Sequence, residues 1–343
     1  METIRLTKPP KKILVIKPSS LGDVVHSLPF LNSLKEGFPK ARIHWVIAKG
    51  LEGLLDGHPM IDRLWIINKE QWKDISRLTA TLREFKGIFS DLRNEGYDMA
   101  IDLQGLLRSG LLTMASSSAL RIGFKDAREG GRFFYTHRVE TGKDMHAVDR
   151  YLRIAEAVGC DISNIIFPMP LIKDSDIEDI RWIKDELREY AVIAPGGRWQ
   201  TKRWDAESFG RLASHLPLKT IVVGSKADEP ASERIVGLSK GNAISLAGKT
   251  DIRQLIGIMR HAKFVVSNDS GAMHIAAALG VPVIAIFGPT SPQRTGPYGR
   301  GHIAIRSDID CSPCFKKKCV KLDCMKGITV ERVLSEVRRI EDL

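Results

Sequence analysis

The chain alternates short apolar runs with longer segments in which apolar residues recur every three or four positions. In the first half, the runs at 12–16, 43–48 and 99–103 predict strands. Between the last two runs, one face of a predicted helix is formed by Leu78, Leu82, Phe85, Phe89 and Leu92. Such alternation predicts a mostly parallel sheet with helices on both faces.

The same pattern restarts after the proline-rich stretch IIFPMPLIKDSD at 165–176, which we interpret as a linker. A helix is predicted at about 174–189. Amphipathic segments then separate four predicted strands, at 190–197, 220–225, 264–269 and 281–289. The chain therefore reads as two consecutive doubly wound α/β domains, residues 1–170 and 171–326, followed by an amphipathic helix at 327–343.

The composition is that of an ordinary globular protein, with 43% hydrophobic and 27% charged residues. The longest uncharged apolar stretch, 275–287, contains Gly280 and Pro282 and falls short of the roughly 18 residues that a membrane span needs. The N-terminal sequence METIRLTKPPKK lacks the apolar core of a secretory signal. We therefore expect a cytoplasmic protein.

The formal net charge of +11 favours an anionic partner: nucleic acid, an acidic membrane surface or a phosphorylated substrate. A nucleic-acid interface would interleave basic with aromatic residues, but aromatic residues make up only 7% of the chain and form no such stripe. We expect no nucleic-acid partner. A basic protein with a merely solvated positive face remains open.

Polar and glycine-rich clusters follow the predicted strands, at the sheet edge where ligands of parallel α/β proteins bind. The first in the second domain is APGGRWQTKRW at 194–204. Gly196 and Gly197 permit close backbone approach, and Lys202 and Arg203 supply positive charge, which suits a diphosphate. The alternative is a surface turn that happens to contain two basic residues.

Two further clusters are smaller. GSKADE at 224–229 places Asp228 and Glu229 after a glycine turn, where they either hold ribose hydroxyls or cap the following helix. GPTSP at 288–292 contains Thr290, a hydrogen-bond donor for phosphate oxygens.

The stretch SNDSGAMHIAAALG at 267–280 predicts a strand end followed by a helix of small residues. The N–H groups of the first helical turn and the helix dipole make such a terminus a phosphate site. Asp269, Ser270 and Gly271 form the turn, and His274 lies in the first helical turn as a binding donor or a packing residue.

In the first domain, KPSSLGDVVHSLP at 17–29 has the shape of an anion-binding turn, yet it carries the carboxylate of Asp23, which would repel phosphate. No G-x-G-x-x-G follows a strand and no G-x-x-x-x-G-K-[ST] occurs, so dehydrogenase and P-loop functions lose support. The G-x-S-x-G turn of many hydrolases is also missing.

Five stretches together resemble the bacterial lipopolysaccharide heptosyltransferases, which are glycosyltransferases: KPSSLGDVVHSLP, IDLQGLLRSG, TKRW, AKFVVSNDSGAMHIAAALG and FGPTSPQRTGPYG. The resemblance spans nearly the whole chain. It implies a GT-B fold, in which two Rossmann-like domains face each other across a cleft. It also implies that the C-terminal helix at 327–343 packs back on the first domain.

The resemblance assigns roles by position. It makes Asp23 the catalytic base, and it matches Lys202 to the family's diphosphate-binding lysine. The donor nucleotide-sugar motif D-[ST]-G-x-x-H corresponds to Asp269, Ser270, Gly271 and His274. The residues expected at the acceptor are Ser19, Ser20, Arg128 and Arg150.

The implied reaction transfers heptose, with inversion, from ADP-L-glycero-D-manno-heptose to a Kdo-lipid A core. No cofactor is required. The resemblance also implies a cytoplasmic protein in peripheral contact with the cytoplasmic face of the inner membrane. DAREGGRFFYTHR and HAVDRY favour the first heptosyltransferase over the second, which acts on heptosyl-Kdo₂-lipid A. From other classes, a non-catalytic nucleotide-sugar or polyanion-binding protein and a sugar-nucleotide epimerase stay open.

CSPCFKKKCVKLDC departs from the best-known members of that family by placing Cys311, Cys314, Cys319 and Cys324 close together. Four thiolates could complete a tetrahedral metal site. The spacing is not a recognised zinc pattern, and a cytosolic setting argues against disulfides, which favours reduced cysteines in a basic loop. Whether a metal binds is left unknown.

Overall fold

The computed structural model describes residues 3–68, 87–142 and 144–341. The chain divides into two units, residues 1–171 and 172–343. The division falls inside the proline-rich stretch interpreted as a linker.

The first unit contains a six-stranded sheet whose adjacent strands are all parallel. Its strands are β1 (Lys12–Ile16), β2 (Arg42–Ala48), β3 (Arg63–Ile67), β4 (Met99–Asp102), β5 (Leu120–Phe124) and β6 (His137–Val139). The order β3-β2-β1-β4-β5-β6 reverses direction between β1 and β4, the place where such sheets bind ligands. Its α-helices include Leu21–His26, Leu28–Gly37, Leu107–Ala115 and Ala147–Ala157.

The second unit repeats this arrangement with β7 (Tyr190–Ala194), β8 (Lys219–Val222), β9 (Ala243–Ser245), β10 (Phe264–Asn268), β11 (Val283–Phe287) and β12 (Ile303–Arg306). The order β12-β11-β10-β7-β8-β9 is all parallel and places the reversal between β7 and β10. Its α-helices are Arg181–Leu187, Ala206–His215, Glu229–Leu238, Ile252–Arg260, Gly271–Ala278, Pro292–Thr295, Asp323–Lys326 and Val330–Glu341.

The central strands are mostly apolar because helices cover both faces of each sheet. Residues 13–16 of β1 and 264–266 of β10 are fully buried. These observations confirm the predicted fold class of two doubly wound α/β domains. No helix in the described ranges is both long and apolar enough to cross a membrane.

The C-terminal helix Val330–Glu341 is amphipathic, as predicted. Val333, Val337 and Ile340 are buried in the core of the second unit, and the helix contacts Ala206–His215. Contact of this helix with the first domain remains a prediction.

Two predicted helices need comment. Only Arg181–Leu187 of the stretch 174–189 is α-helical, and two 3₁₀ turns, Asp174–Asp176 and Glu178–Ile180, precede it. The second is the helix predicted between β2 and β4. Two residues of its predicted apolar face, Phe89 and Leu92, lie in a helical segment at 87–94, where Leu92 is buried. The remaining members, Leu78, Leu82 and Phe85, lie outside the described residues.

Candidate functional site

Asp23 lies in the first turn of the helix that follows β1, at the reversal point of the first sheet. Its Oδ2 atom accepts hydrogen bonds from the backbone N–H of Ser20 at 3.0 Å and from the Ser20 hydroxyl at 2.6 Å. A carboxylate is favourable at a helix N-terminus. Asp23 therefore itself takes up donors of the anion-binding turn, which explains why a negative charge is stable there.

Lys17 is buried beside this turn, with 3% of its surface exposed. Its Nζ donates to the Leu103 carbonyl at 3.3 Å and lies 5.1 Å from the centroid of the Tyr151 ring. Burial alone would lower the pKa of the Lys17 ammonium, but Tyr151, Asp23 and Asp102 outweigh it and raise that pKa above its ordinary value. A charged ammonium group therefore lies close enough to Asp23 to interact with it electrostatically, and no sequence motif indicated a role for Lys17.

Asp102 ends β4, the other strand at the reversal point, and is fully buried. Its Oδ2 accepts the Tyr135 hydroxyl at 2.6 Å, and its Oδ1 accepts the backbone N–H groups of Gln104 and Gly105. Burial raises the pKa of Asp102 although these hydrogen bonds lower it. Asp102 lies in the stretch IDLQG, and no sequence motif indicated a role for it.

The residues expected at the acceptor lie in the same unit. Ser19 is buried, and its backbone N–H donates to Gln104 Oε1 at 3.3 Å. The Arg150 guanidinium pairs with Asp126, whereas Arg128 is exposed. Their contact with an acceptor remains a prediction.

In the second unit, Lys202 and Asp269 form an ion pair across the reversal point between β7 and β10. Lys202 Nζ donates to Asp269 Oδ2 at 2.6 Å, and the Thr290 hydroxyl donates to the same oxygen at 2.7 Å. The side chains of Lys202 and Asp269 are 16% and 4% exposed. Three loops that follow three different strands therefore converge on one carboxylate oxygen, as the strand-end argument predicts.

Asn268, which sequence reasoning did not select, fixes the loop that carries Lys202. Its side-chain amide donates to the Pro195 carbonyl at 2.7 Å, and its Oδ1 accepts the backbone N–H of Trp204 at 3.1 Å. The side chain is fully buried. Both ends of the loop 195–204 are thus tied to the end of β10.

A helix of small residues follows β10, as predicted, and it begins at Gly271, which the prediction placed in the turn. Its N-cap residue Ser270 is extended and makes no side-chain capping bond, and its hydroxyl lies 3.2 Å from that of Ser267. The N–H groups of the first turn are the donors that a phosphate group uses. His274 is the fourth helical residue and is 7% exposed.

The Asp228 side chain caps the 3₁₀ turn Lys226–Asp228 and makes no capping hydrogen bond to the following helix, Glu229–Leu238. Its Oδ2 accepts the backbone N–H of Ser225 at 3.0 Å and the Ser225 hydroxyl at 2.7 Å. A Cβ atom at Gly196 would lie 2.9 Å from this oxygen, so glycine lets the two loops meet. Glu229 begins the next helix and is half-buried. Contact of either acid with a ribose remains a prediction.

All five cysteines are free thiols. Across the described ranges, no three His, Cys, Asp or Glu side chains stand in an arrangement that holds a metal ion. Burial raises the pKa of the Cys324 thiol, and Cys311, Cys314 and Cys319 raise it further. The Cys324 thiol therefore lies close enough to the other three to interact with them electrostatically.

The fold and these two sites define a class of protein: two Rossmann-like units, one offering a carboxylate and the other an ammonium group, a hydroxyl and a helix N-terminus. The model of glycosyltransferase family 9 (heptosyltransferase) matches residues 87–325, which is more than half of the chain. The chain belongs to this family. This confirms both the resemblance and the expectation of a glycosyltransferase.

Individual proteins agree with this assignment. The chain is 30% identical over 328 residues to lipopolysaccharide heptosyltransferase 1 of Pseudomonas aeruginosa, covering 90% of this chain and 87% of that protein. Among solved structures, a family 9 glycosyltransferase from Veillonella parvula superposes with a TM-score of 0.80 at 24% identity, covering 96% and 97% of the two chains. The E. coli heptosyltransferase WaaC with ADP gives 0.77 at 24% identity, covering 96% and 99%.

Proposed function

We propose that the protein transfers L-glycero-D-manno-heptose from ADP-heptose to the Kdo-lipid A inner core of lipopolysaccharide. The observation that carries the proposal is the convergence of Lys202, Thr290 and the helix at Gly271 on one side of the second sheet. A diphosphate leaving group needs such preorganised donors. The similarity to a lipopolysaccharide heptosyltransferase 1 supports the choice of donor and acceptor.

The proposed mechanism is a single displacement that inverts the anomeric carbon. Asp23 removes the proton of the acceptor hydroxyl as that oxygen attacks, and general-base assistance of this kind contributes roughly 10²–10⁴-fold to the rate. The two hydrogen bonds from Ser20 hold the Asp23 carboxylate in one orientation. Ser19, Ser20, Arg128 and Arg150 bind the anionic acceptor in this scheme.

The departing ADP gains negative charge as the sugar–oxygen bond breaks. Lys202, Thr290 and the N–H groups at the start of Gly271–Ala278 stabilise that charge, while Ser270 and His274 complete the donor motif and Asp228 and Glu229 lie where ribose hydroxyls are expected. The scheme requires no cofactor, because the ammonium group and the helix terminus supply the positive field.

Peripheral contact with the cytoplasmic face of the inner membrane is part of the proposal, because the acceptor is a lipid. A patch on the first unit supports it: Phe133 is 70% exposed, and the Arg132 guanidinium lies 5.1 Å from its ring. Arg128 and Arg138 are exposed nearby in the chain, and Arg108 is exposed on the helix Leu107–Ala115, which contacts the turn Gly131–Phe134. An aromatic side chain among arginines suits an anionic lipid surface.

One experiment tests the function. The protein is incubated with ADP-heptose alone, with ADP-heptose and Kdo₂-lipid A, and with ADP-heptose and heptosyl-Kdo₂-lipid A, and released ADP is measured. We expect rapid ADP release only with Kdo₂-lipid A. Release only with the heptosylated acceptor would identify the second heptosyltransferase instead. Donor binding without acceptor-dependent release would support a non-catalytic binding protein, and conversion of the donor sugar without acceptor would support an epimerase.

Flotation with vesicles tests the membrane contact. We expect the protein to bind anionic vesicles, and we expect salt to weaken this binding. Phe133→Ser should bind more weakly than Ile66→Ser, the control variant, which removes another large exposed apolar side chain. Equal binding of both variants would contradict the proposed patch.

A further inference from the structure

Residues 311–325, here called the cysteine segment, lie against the loop that contains Thr290. The backbone N–H groups of Cys314 and Phe315 donate to the Pro289 carbonyl at 3.1 and 2.8 Å. The Ser312 hydroxyl donates to the Gly288 carbonyl at 2.6 Å. Three hydrogen bonds therefore fix the cysteine segment on a loop of the donor site.

The cysteine segment also contacts the loop that carries Lys202. The Thr201 hydroxyl, which is buried, donates to the Lys316 carbonyl at 2.9 Å. A Cβ atom at Gly288 would overlap the Met325 sulfur and lie 3.2 Å from the Thr201 carbonyl oxygen. The cysteine segment and both donor loops are thus packed together, so the position of each depends on the others.

Two ammonium groups share the indole ring of Trp199. Lys202 Nζ lies 4.8 Å from the ring centroid, and Lys317 Nζ lies 5.5 Å from it. Lys317 follows Lys316, the residue anchored by Thr201, so its position beside the donor loop is set by the chain. The cysteine segment therefore brings a second cation next to the lysine that is expected to bind diphosphate.

A diphosphate at this site needs more positive charge than Lys202 alone supplies. The charge of Lys202 is already compensated by the buried carboxylate of Asp269 at 2.6 Å. A nucleoside diphosphate brings two or more negative charges, and charge-assisted hydrogen bonds are the strong contacts to phosphate. The helix N-terminus supplies only about half of a positive charge.

We propose that Lys317 contacts the diphosphate of the donor nucleotide alongside Lys202, and that the cysteine segment holds it there. This inference rests on the proposed donor site. Lys317 is a binding residue for the nucleoside diphosphate, and Thr201 is a positioning residue that acts through the Lys316 carbonyl.

The test is the affinity for ADP, measured by calorimetry on the full chain. We expect Lys317→Ala to weaken ADP binding about 10-fold, the lower end of what a hydrogen bond to a charged group contributes, because the Lys317 side chain is exposed. Lys317→Arg keeps the charge and should restore most of the affinity. Lys318→Ala is the matched control, because it removes the same charge from the next residue, and its affinity should stay within twofold of wild type.

Lys202→Ala, measured in parallel, separates this inference from the proposed function. Weaker ADP binding for Lys202→Ala with wild-type binding for Lys317→Ala would overturn the inference alone. Wild-type ADP affinity for both variants would overturn the proposed donor site as well. Equal losses for Lys317→Ala and Lys318→Ala would also overturn the inference, since they would indicate general charge rather than a contact.

The positioning role of Thr201 has its own readout. Thr201→Val removes the hydroxyl that holds Lys316 but keeps the shape, and Thr201→Ser keeps the hydroxyl. We expect Thr201→Val, but not Thr201→Ser, to weaken ADP binding severalfold, and to have little further effect when Lys317 is already Ala. An undiminished loss in the Lys317→Ala background would contradict the positioning role.

Discussion

The ion pair between Lys202 and Asp269 allows the most quantitative prediction. Asp269 Oδ2 accepts the Lys202 ammonium at 2.6 Å and the Thr290 hydroxyl at 2.7 Å, and the Asp269 side chain is 4% exposed. Asp269→Asn keeps the size of the side chain but removes its charge. Lys202→Met removes the ammonium group but keeps most of the aliphatic stem.

A hydrogen bond to a charged group contributes about 1.5–3 kcal/mol. Breaking a fully buried ion pair costs about 3–5 kcal/mol, but Lys202 is 16% exposed, so water partly compensates its ammonium. We therefore expect each single variant to lower the free energy of unfolding by about 2–3 kcal/mol. The double variant should lose about 1.5–3 kcal/mol less than the sum, because the second substitution has no pair left to break.

Scanning calorimetry measures this double-mutant cycle. For a unit of this size, 1 kcal/mol corresponds to about 2–4 °C in Tm, so each single variant should melt about 4–12 °C lower. The control cycle uses Arg234 and Glu207, an ion pair with 58% and 53% exposed side chains, for which we expect a coupling below about 1 kcal/mol. Costs of Asp269→Asn and Lys202→Met that add within about 0.3 kcal/mol would refute the reasoning.

Two further predictions concern titratable groups. Burial raises the pKa of Cys160 to about 12. At pH 8, an alkylating reagent should therefore modify the exposed Cys311 and Cys319 first and Cys160 only after unfolding, as mass spectrometry would show. Early modification of Cys160 would contradict its burial. Because the pKa of Asp102 is raised in the folded protein, its contribution to stability falls as pH rises from about 4 through that raised pKa. Tyr135→Phe removes a donor to the charged form of Asp102 and should therefore lower Tm more above that raised pKa than below it. A loss in Tm that is the same at every pH from about 4 to 9 would show that the hydroxyl does not act through the carboxylate.

The sequence predicted seven of the strands and missed the internal strand β5 and the outermost strand at each edge of both sheets. Strands β3, β6, β9 and β12 are the four outermost strands. They are covered on fewer sides, so they carry charged or exposed residues and lack the continuous apolar run that identified β1 and β10. The partner of the C-terminal helix was likewise unpredictable, because an amphipathic pattern shows which face is buried but not what covers it.

For the candidate site, the sequence predicted which residues follow the strands but not which contacts they make. Parallel strands place their loops at one edge of the sheet, which is why Asp23, Lys202 and Asp269 could be selected from the strand ends. Their contacts could not, because Lys202 and Asp269 are 67 positions apart in the chain. The proximity of Lys317 to Trp199 was also not predictable, because it arises from the packing of the cysteine segment.

The most direct test of the central claim is a comparison of turnover and ADP affinity in Asp23→Asn. Asparagine keeps an oxygen that can accept the Ser20 hydrogen bonds, so the helix should remain capped while the base is lost. With ADP-heptose and Kdo₂-lipid A, we predict that kcat falls about 10²- to 10⁴-fold while the Kd for ADP stays within threefold of wild type. Turnover at the wild-type rate would contradict the role of Asp23 as the catalytic base.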